Sequence, residues 1–258
     1  MVTSIQLYKD FNRESPFFFR SRNWVRDSIV FLLSIGRNIS DSSGWIRFPY
    51  YHHIFDDERR GFAQQLDYFK CYGDFISLTD AVVLLKKKEK ISGRYFCLTF
   101  DDGFLNNFTN AVPILVEKKA TATFFLPTDY IGRTLEKDLK HLSKFFGDKS
   151  VVVEFLNWEH CRQMLSCGME IGSHSVHHLK FSKLKQKEII EELEYSKREI
   201  EANLKCECTH FCAPFGIPNM DFNPDRDSLL ATQRPSMYSL ACWDRFFTSE
   251  ELILLALS

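Results

Sequence analysis

Residues 95–103 read YFCLTFDDG, an aromatic and β-branched run that ends in two carboxylates and a glycine. Such a composition predicts a buried strand up to Phe100. Successive side chains of an extended strand point to opposite faces, so Asp101 and Asp102 can serve one site only where the strand ends and the chain turns, as Gly103 permits. In a β/α barrel that end of the strand lies on the catalytic face. Taken alone, the segment fits a solvated Asp-Asp-Gly turn better.

Strand-like and helix-like periodicities alternate on both sides of this segment. The predicted strands cover residues 46–51, 95–100, 122–126, 169–172 and 209–214. The predicted helices cover residues 62–73, 79–90, 108–115, 158–166 and 189–204, with one more at 249–257. Residues 133–150 are charged and weakly patterned, so we interpret them as an insertion or a long loop. The βαβ rhythm predicts an α/β fold, built as a single-domain, distorted β/α barrel.

Length and composition fit one globular domain with a sizeable core. The chain has 258 residues, of which 45% are hydrophobic and 26% charged, and its formal net charge is -1. A near-neutral chain lacks the basic surface that nucleic-acid binding requires, so we expect no nucleic-acid partner. These quantities leave the oligomeric state open.

The eight cysteines and the first apolar run bear on the cellular compartment. Most of the cysteines stand inside apolar runs, a pattern typical of buried thiols in a reducing compartment. Residues 29–33 form the first uninterrupted apolar run, which comes too late and is too short for a signal peptide or a membrane span. We therefore expect a cytoplasmic protein without a membrane span. A helix around residues 24–35 would pack against the barrel, with peripheral membrane association as the alternative.

A histidine pair follows the predicted strand at 169–172. His174 and His178 are four residues apart, so one helical turn would bring both imidazoles to one side, a spacing that a divalent metal ion can bridge. His177 is an alternative second ligand. Such a pair is more often structural, but with Asp102 it would leave metal positions open for water and substrate. Two histidines and one carboxylate are typical of a catalytic metal site.

Three motifs in this order resemble those of the polysaccharide deacetylases of the chitooligosaccharide deacetylase type, carbohydrate esterase family 4. The motifs are Thr99-Phe100-Asp101-Asp102-Gly103, then His174-Ser175 with His178, then Ala213-Pro214-Phe215-Gly216. Their order and spacing are more specific than any one motif. Residues 51–54, Tyr-His-His-Ile, also resemble the opening Tyr-His strand of the poly-N-acetylglucosamine deacetylase branch. The resemblance covers residues 46–216.

The resemblance implies a fold and a domain organisation. The fold would be an incomplete (β/α)7-type barrel. Residues 1–44 would be an N-terminal extension packed on it, and residues 45–258 the catalytic domain, which diverges from about position 225.

The resemblance also implies a reaction, namely the metal-dependent hydrolysis of an N-acetyl or other N-acyl group on an amino sugar. The substrate would be a polysaccharide, a glycan precursor or a sugar nucleotide, as in the biosynthesis of cell-surface polysaccharide. A cytoplasmic enzyme would meet the precursors sooner than the finished polymer. The expected cofactor is one divalent metal ion, zinc first, with cobalt, nickel or manganese as alternatives.

Carried over residue by residue, the resemblance makes Asp101 the general base that takes the proton of the attacking water. The metal ligands would be Asp102, His174 and His178. The third motif, Pro214-Phe215-Gly216, would contact the substrate, and the backbone N–H of Phe215 would help stabilise the oxyanion.

Two positions depart from the family's pattern. The third motif usually begins with an arginine that orients the base, and Cys212 stands there in this chain. The usual catalytic acid is a histidine near the C-terminus, yet no histidine follows His210. In the Tyr-His branch the acid comes from the first strand, which indicates His52, with His53 as the alternative. These departures allow a second interpretation, a non-catalytic carbohydrate-binding relative that retains the metal site.

Overall fold

The structure is a computed structural model that describes residues 4–11, 44–87, 89–147, 152–223, 225–227, 230 and 240–242. Its described strands are β1 (Trp45–Arg47), β2 (Tyr50–Tyr51), β3 (Asp74–Phe75), β4 (Arg94–Phe96), β5 (Leu98–Phe100), β6 (Ala122–Leu126), β7 (Glu170–Ser173), β8 (His210–Cys212) and β9 (Leu240–Cys242). They form a six-stranded sheet in the order β2-β5-β6-β7-β8-β9 and a three-stranded sheet in the order β1-β4-β3. Every strand pair is parallel.

Hydrogen bonds between the ends of the two sheets join them into one curled surface. Cys97 N–H donates to the carbonyl of Arg47 at 2.8 Å, and Thr99 N–H donates to that of Pro49 at 3.1 Å. The predicted strand at 46–51 is split because Pro49 has no N–H for the ladder. The result is a curled, parallel half-barrel, which confirms the predicted α/β class and the incomplete barrel in a single domain.

The described helices are α1 (Tyr8–Phe11), α2 (Arg59–Lys70), α3 (Leu78–Lys86), α4 (Val112–Lys118), α5 (Leu135–Phe145), α6 (Trp158–Ser166) and α7 (Gln186–Leu204). Local signals explain several of their ends. The hydroxyl of Ser77 accepts a hydrogen bond from Asp80 N–H and caps α3. A π-helical turn at Asn107–Ala111 precedes α4, and Lys205, with φ of 56°, ends α7.

The main hydrophobic core lies between the six-stranded sheet and helices α2, α4, α6 and α7. Leu66, Leu115, Met164 and Leu193, one from each helix, are completely buried and share one cluster with Phe100 of β5. Burial of one such side chain contributes about 1.5–3 kcal/mol. This packing holds the strands whose ends carry the predicted site residues.

The interpretation of residues 133–150 as a loop is wrong for its central part, where helix α5 runs. Leu135, Leu139 and Leu142 recur at helical spacing, and Leu142 is completely buried. They pack in a second cluster that contains Phe104. The stripe is narrow and surrounded by lysine and acidic side chains, so the charge pattern dominated the sequence signal.

Residues 4–11 of the predicted N-terminal extension pack on the rest of the protein. Ser4 forms a parallel bridge with Val152, and the carboxylate of Asp57 accepts a hydrogen bond from Tyr8 N–H at 2.8 Å. Residues 12–43, with the predicted helix around 24–35, lie outside the described residues, as does the predicted helix at 249–257. The division near position 44 and the divergence from about position 225 stay predictions.

The cysteines are more exposed than the sequence predicts. Among the seven cysteines whose side chains the structure describes, Cys97, Cys161, Cys208 and Cys212 are buried and Cys71, Cys167 and Cys206 are exposed; all seven are free thiols. Among the helices of the described ranges, none combines the length and the apolar composition needed to cross a bilayer.

Gly172 in β7 gives a test of the packing between strands. A Cβ atom there would lie 2.6 Å from the ring of Phe125, which is completely buried, and 3.0 Å from the carbonyl oxygen of His210. We expect Gly172→Ala to destabilise the fold by about 1–3 kcal/mol through overpacking. Gly61→Ala in α2 is the matched control, because nothing lies within 4 Å of its Cβ position, and it should be neutral or stabilise by about 0.5–1 kcal/mol. Urea unfolding measures both, and equal midpoints for Gly172→Ala and wild type would contradict the packing.

Candidate active site

The three motifs of the sequence meet at one edge of the curled sheet. Asp101 and Asp102 follow the last residue of β5, His174 follows β7, and Ala213 follows β8. Because these strands are parallel neighbours or near neighbours, their carboxyl ends lie side by side. The chain turns where the sequence predicts, since Asp102 and Gly103 have φ of 70° and 64°.

One carboxylate and two imidazoles form a compact group at this edge. Oδ1 of Asp102 lies 3.1 Å from Nε2 of His178 and 3.5 Å from Nε2 of His174. The three side chains each offer one ligand atom, and these atoms all lie within 4.8 Å of one another. Asp102 is only 6% exposed. These are the three residues that the resemblance assigns to a metal ion.

The two histidines do not meet through a helical turn, and that part of the prediction is wrong. Residues 174–180 form a loop, in which Ser175 and His178 adopt left-handed backbone with φ of 67° and 55°. The loop turns His177 away, and its Nδ1 lies 2.5 Å from Oε1 of Glu192 in helix α7. His177 is therefore not the second ligand of this group.

The donor set fits a divalent cation. Nδ1 of His174 lies 2.8 Å from the carbonyl oxygen of Cys212, which can only accept, so Nδ1 carries the proton and donates. In the neutral ring, Nε2 then presents a lone pair toward Oδ1 of Asp102, which is buried and makes no hydrogen bond to the described residues. Lone pairs that converge in this way repel one another unless a cation lies between them. A hydrogen bond from the ring nitrogen that does not bind the metal, as Nδ1 of His174 makes here, is also typical of a metal-ligating histidine.

Burial and neighbouring charges shift the pKa values of these side chains in opposite directions. Burial alone would raise the pKa of Asp102, but the rings of His174 and His178 outweigh it and hold that pKa well below its usual range. Burial would lower the pKa of His174, but Asp102 and Asp101 raise it on balance. At His178 burial dominates, and the pKa is lowered although Asp102 opposes the shift.

Asp101 and Cys212 form a second group with His174. Carboxylate, thiol and imidazole atoms of these three residues lie within 4.8 Å of one another. Asp101 is 3% exposed, and its backbone N–H donates to the carbonyl of Tyr51 at 2.9 Å, which continues the pairing of β2 with β5. The thiol of Cys212 thus stands beside the predicted base, at the position where the family usually has an arginine.

His52 and His53 lie in different environments. Nε2 of His52 lies 3.9 Å from Oδ2 of Asp102, and its side chain is 36% exposed. The ring of His53 instead stacks on those of Phe55 and Phe104, at centroid distances of 4.8 and 4.0 Å. Burial there lowers the pKa of His53 to about 4, although Asp102 acts against the shift. Of the two candidates for the acid, His52 is the one that lines the open cavity.

The site opens into a cavity of about 320 Å³. Phe215 of the third motif has left-handed backbone with φ of 68°, its ring is 43% exposed, and its centroid lies 4.7 Å from that of His178. The cavity is lined by His52, Asp101, Asp102, Phe145, His174, His178, Lys180, Phe215, Ile217 and Asp221.

Four of these lining residues are not predicted by the sequence motifs. Phe145 comes from helix α5, and its ring lies 4.7 Å from that of His178. Nζ of Lys180 lies 2.5 Å from Oδ1 of the buried Asp221 and 4.7 Å from the ring centroid of Phe215. Ile217 belongs to the same loop as Asp221. None of the four belongs to one of the three motifs, so the motifs alone could not identify them.

A parallel half-barrel with a carboxylate and two histidines at the carboxyl ends of its strands is typical of hydrolases that use a bound metal ion. The sequence model of the polysaccharide deacetylase family matches residues 88–229, more than half of the chain. The chain belongs to this family, whose deacetylases depend on metal ions. The resemblance seen in the three motifs is therefore confirmed, and the deacetylases of this family are hydrolases that act on carbon–nitrogen bonds other than peptide bonds.

A curated protein of similar sequence is also named as a deacetylase. The poly-beta-1,6-N-acetyl-D-glucosamine N-deacetylase of Staphylococcus aureus is 27% identical over 173 residues, which is 63% of this chain and 54% of that protein. The chain thus spans about half the length of the curated relatives that it matches.

Solved structures of relatives share the fold. IcaB from Ammonifex degensii superimposes with a TM-score of 0.62 at 24% identity, over 78% of this chain and 84% of that one. The deacetylase PplD of Streptococcus pyogenes has a TM-score of 0.55 at 21% identity, over 73% of this chain and 80% of that one.

We expect His53→Phe to flatten the pH dependence of stability. The unfolded chain binds a proton at His53 near pH 6.5, whereas the folded protein keeps this ring neutral down to about pH 4. The unfolded state is therefore favoured as the pH falls through this window, and the wild type should lose about 1–3 kcal/mol that the variant retains. Urea unfolding of chelator-treated protein at several pH values measures the difference.

The same variant separates the two candidate acids. Phenylalanine keeps an aromatic ring beside Phe55 and Phe104, and hydrolytic activity should persist in His53→Phe because His52, and not His53, lines the cavity. Identical pH slopes for both proteins, or complete loss of activity, would contradict this interpretation of the two histidines.

Proposed function

We propose that this protein removes the N-acetyl group from an amino sugar in a polysaccharide, a glycan precursor or a sugar nucleotide, with a divalent metal ion bound by Asp102, His174 and His178. The observation that carries the proposal is the convergence of a three-ligand set, a second buried carboxylate and a partly exposed histidine in one cavity. Family membership supports the same reaction. The Staphylococcus aureus relative is named as a poly-beta-1,6-N-acetyl-D-glucosamine N-deacetylase, so β-1,6-linked N-acetylglucosamine oligomers are the first substrates to test.

The metal ligands would be Oδ1 of Asp102 and Nε2 of each histidine. Three protein ligands of this kind leave room for water and substrate, and they suit zinc first, with cobalt, nickel or manganese as alternatives. When bound, the ion polarises the acetamide carbonyl and lowers the pKa of water.

Asp101 would be the general base. Its buried carboxylate lines the cavity beside the three-ligand set. From there a carboxylate oxygen can take a proton from the attacking water while the water oxygen bonds to the carbonyl carbon. The backbone N–H of Phe215, between Pro214 and Gly216 in the third motif, would donate to the oxyanion that forms.

His52 would be the general acid. Its ring lines the same cavity, and its exposure allows proton exchange with solvent. A proton from Nε2 would pass to the amine nitrogen as the carbon–nitrogen bond breaks. His53 supports this role less well, because its ring is enclosed by phenylalanine side chains.

We also propose a cytoplasmic location and, with it, a glycan precursor or sugar nucleotide as the form of the substrate. The free thiols support a reducing compartment. Release of acetate from finished extracellular polymer, with none from sugar nucleotides or lipid-linked intermediates, would contradict this part of the proposal.

The direct test is acetate release from N-acetylated amino-sugar oligomers and sugar nucleotides, with and without chelator, together with metal analysis. We expect chelator-sensitive release and about one bound metal ion per chain, as a single three-ligand site implies. Bound metal without release from any substrate would favour the non-catalytic, carbohydrate-binding relative. A chain that binds no metal would refute the site itself.

A pair of isosteric variants separates the roles of the adjacent carboxylates. Asp101→Asn removes the base and should lower kcat by about 10²–10⁴-fold while metal content stays at the wild-type level. Asp102→Asn should lose both metal and turnover, because the metal loses its one anionic ligand. Plasma emission analysis and acetate release measure the two effects. A fully active Asp101→Asn, or an Asp102→Asn that retains its metal, would overturn the assignment.

A further inference from the structure

Helix α7 carries a buried carboxylate on its apolar face. Ile189, Leu193 and Ile200 form that face and are completely buried, and Glu192 lies among them with 7% exposure. A buried carboxylate is costly unless it is fully hydrogen-bonded. Its partners therefore indicate what the residue is for.

The partners of Glu192 all belong to the loop between His174 and His178. Oε2 accepts hydrogen bonds from the backbone N–H groups of Val176 at 2.8 Å and His177 at 2.9 Å. Oε1 lies 2.5 Å from Nδ1 of His177. One side chain thus binds the middle of the loop at three points, and the loop carries a metal-ligand candidate at each end.

This loop has a backbone that needs external support. Ser175 and His178 both adopt left-handed conformations, and neither is a glycine that would do so at little cost. From the segment after β6, the N–H groups of Thr128 and Asp129 donate to the carbonyls of Ser175 and Val176 at 3.1 and 3.0 Å. Glu192 accepts from the next N–H groups of the same loop, so the loop is held by both α7 and the segment after β6.

We propose that Glu192 is a positioning residue for the metal centre, and this inference rests on the proposed function. By fixing the peptide groups of Val176 and His177, Glu192 sets the direction in which His178 projects toward Asp102. It contacts neither the metal nor the substrate. Its loss would leave a folded protein whose loop samples conformations with His178 displaced, so that fewer molecules present all three ligands together.

Metal affinity measures this effect directly. We expect Glu192→Ala to weaken zinc binding by about 10–100-fold, the usual effect of removing a group that orients a metal ligand. Competition with a chromophoric chelator gives the dissociation constant, and the visible absorption of the cobalt-loaded protein reports ligand geometry. Glu192→Gln should fall between wild type and Glu192→Ala, because its amide oxygen can still accept from the two backbone N–H groups.

Ile200→Val is the matched control on the same helix. It removes one buried methyl group from the apolar face without touching the loop, so it should lower stability while the zinc dissociation constant and the cobalt spectrum stay at wild-type values. A role of Glu192 in stability alone would make Glu192→Ala behave like this control.

The outcomes distinguish the inference from the function on which it rests. Wild-type metal affinity and cobalt spectrum in Glu192→Gln and in folded Glu192→Ala would overturn the inference. If Glu192→Ala does not fold, a wild-type zinc affinity in Glu192→Gln would be enough to overturn the inference. Wild-type protein that binds no metal would refute the proposed site and the inference with it. Wild type that binds metal but releases no acetate, with weakened binding in both variants, would refute the proposed function and support the inference.

Discussion

The parallel pairing of β5, β6, β7 and β8 is the constraint on which the site depends. Leu126 and Ser173, the last residues of β6 and β7, pair with each other, and Phe100 at the end of β5 pairs with Phe124, two residues before the end of β6. Asp102 and His174, far apart in the sequence, follow these ends directly and come within 3.5 Å. A shift of one strand by a single residue would turn its side chains to the other face. The core that fixes the register therefore also assembles the ligand set.

The turns after these strands add a second requirement, because each contains left-handed backbone. Asp102, His178 and Phe215 all have positive φ, and each such conformation costs on the order of 1–3 kcal/mol unless the surroundings impose it. At the first turn Gly103 follows, where a Cβ would come within 3.0 Å of the side chains of Leu126 and Ile131. The second turn contains no glycine and relies on hydrogen bonds from neighbouring segments instead. The geometry of the site therefore depends on the segments that contact these turns as much as on the site residues themselves.

The sequence predicts those features whose signal is local. Adjacent carboxylates before a glycine locate the turn at 101–103, and the order of the three motifs brings His174 and His178 to it. The spacing of the two histidines led to the wrong prediction of a helical turn. A loop with left-handed residues can also bring together two side chains that are four positions apart. Phe145 is missed because the apolar stripe of its helix is narrow among many charges. Glu192 did leave a signal, a carboxylate between the apolar residues Ile189 and Leu193 of a helix, but its meaning depends on a contact with a distant loop.

Electrostatics explains why such a site calls for a cation. Asp101 and Asp102 are both buried, and two neighbouring carboxylates need compensation by positive charge or hydrogen bonds. The surrounding groups raise the pKa of His174 but lower that of His178. Lys180, which also lines the cavity, is already engaged by Asp221. A divalent ion held by Asp102 and by the unprotonated rings of His174 and His178 would compensate the carboxylates without placing two charged histidines side by side.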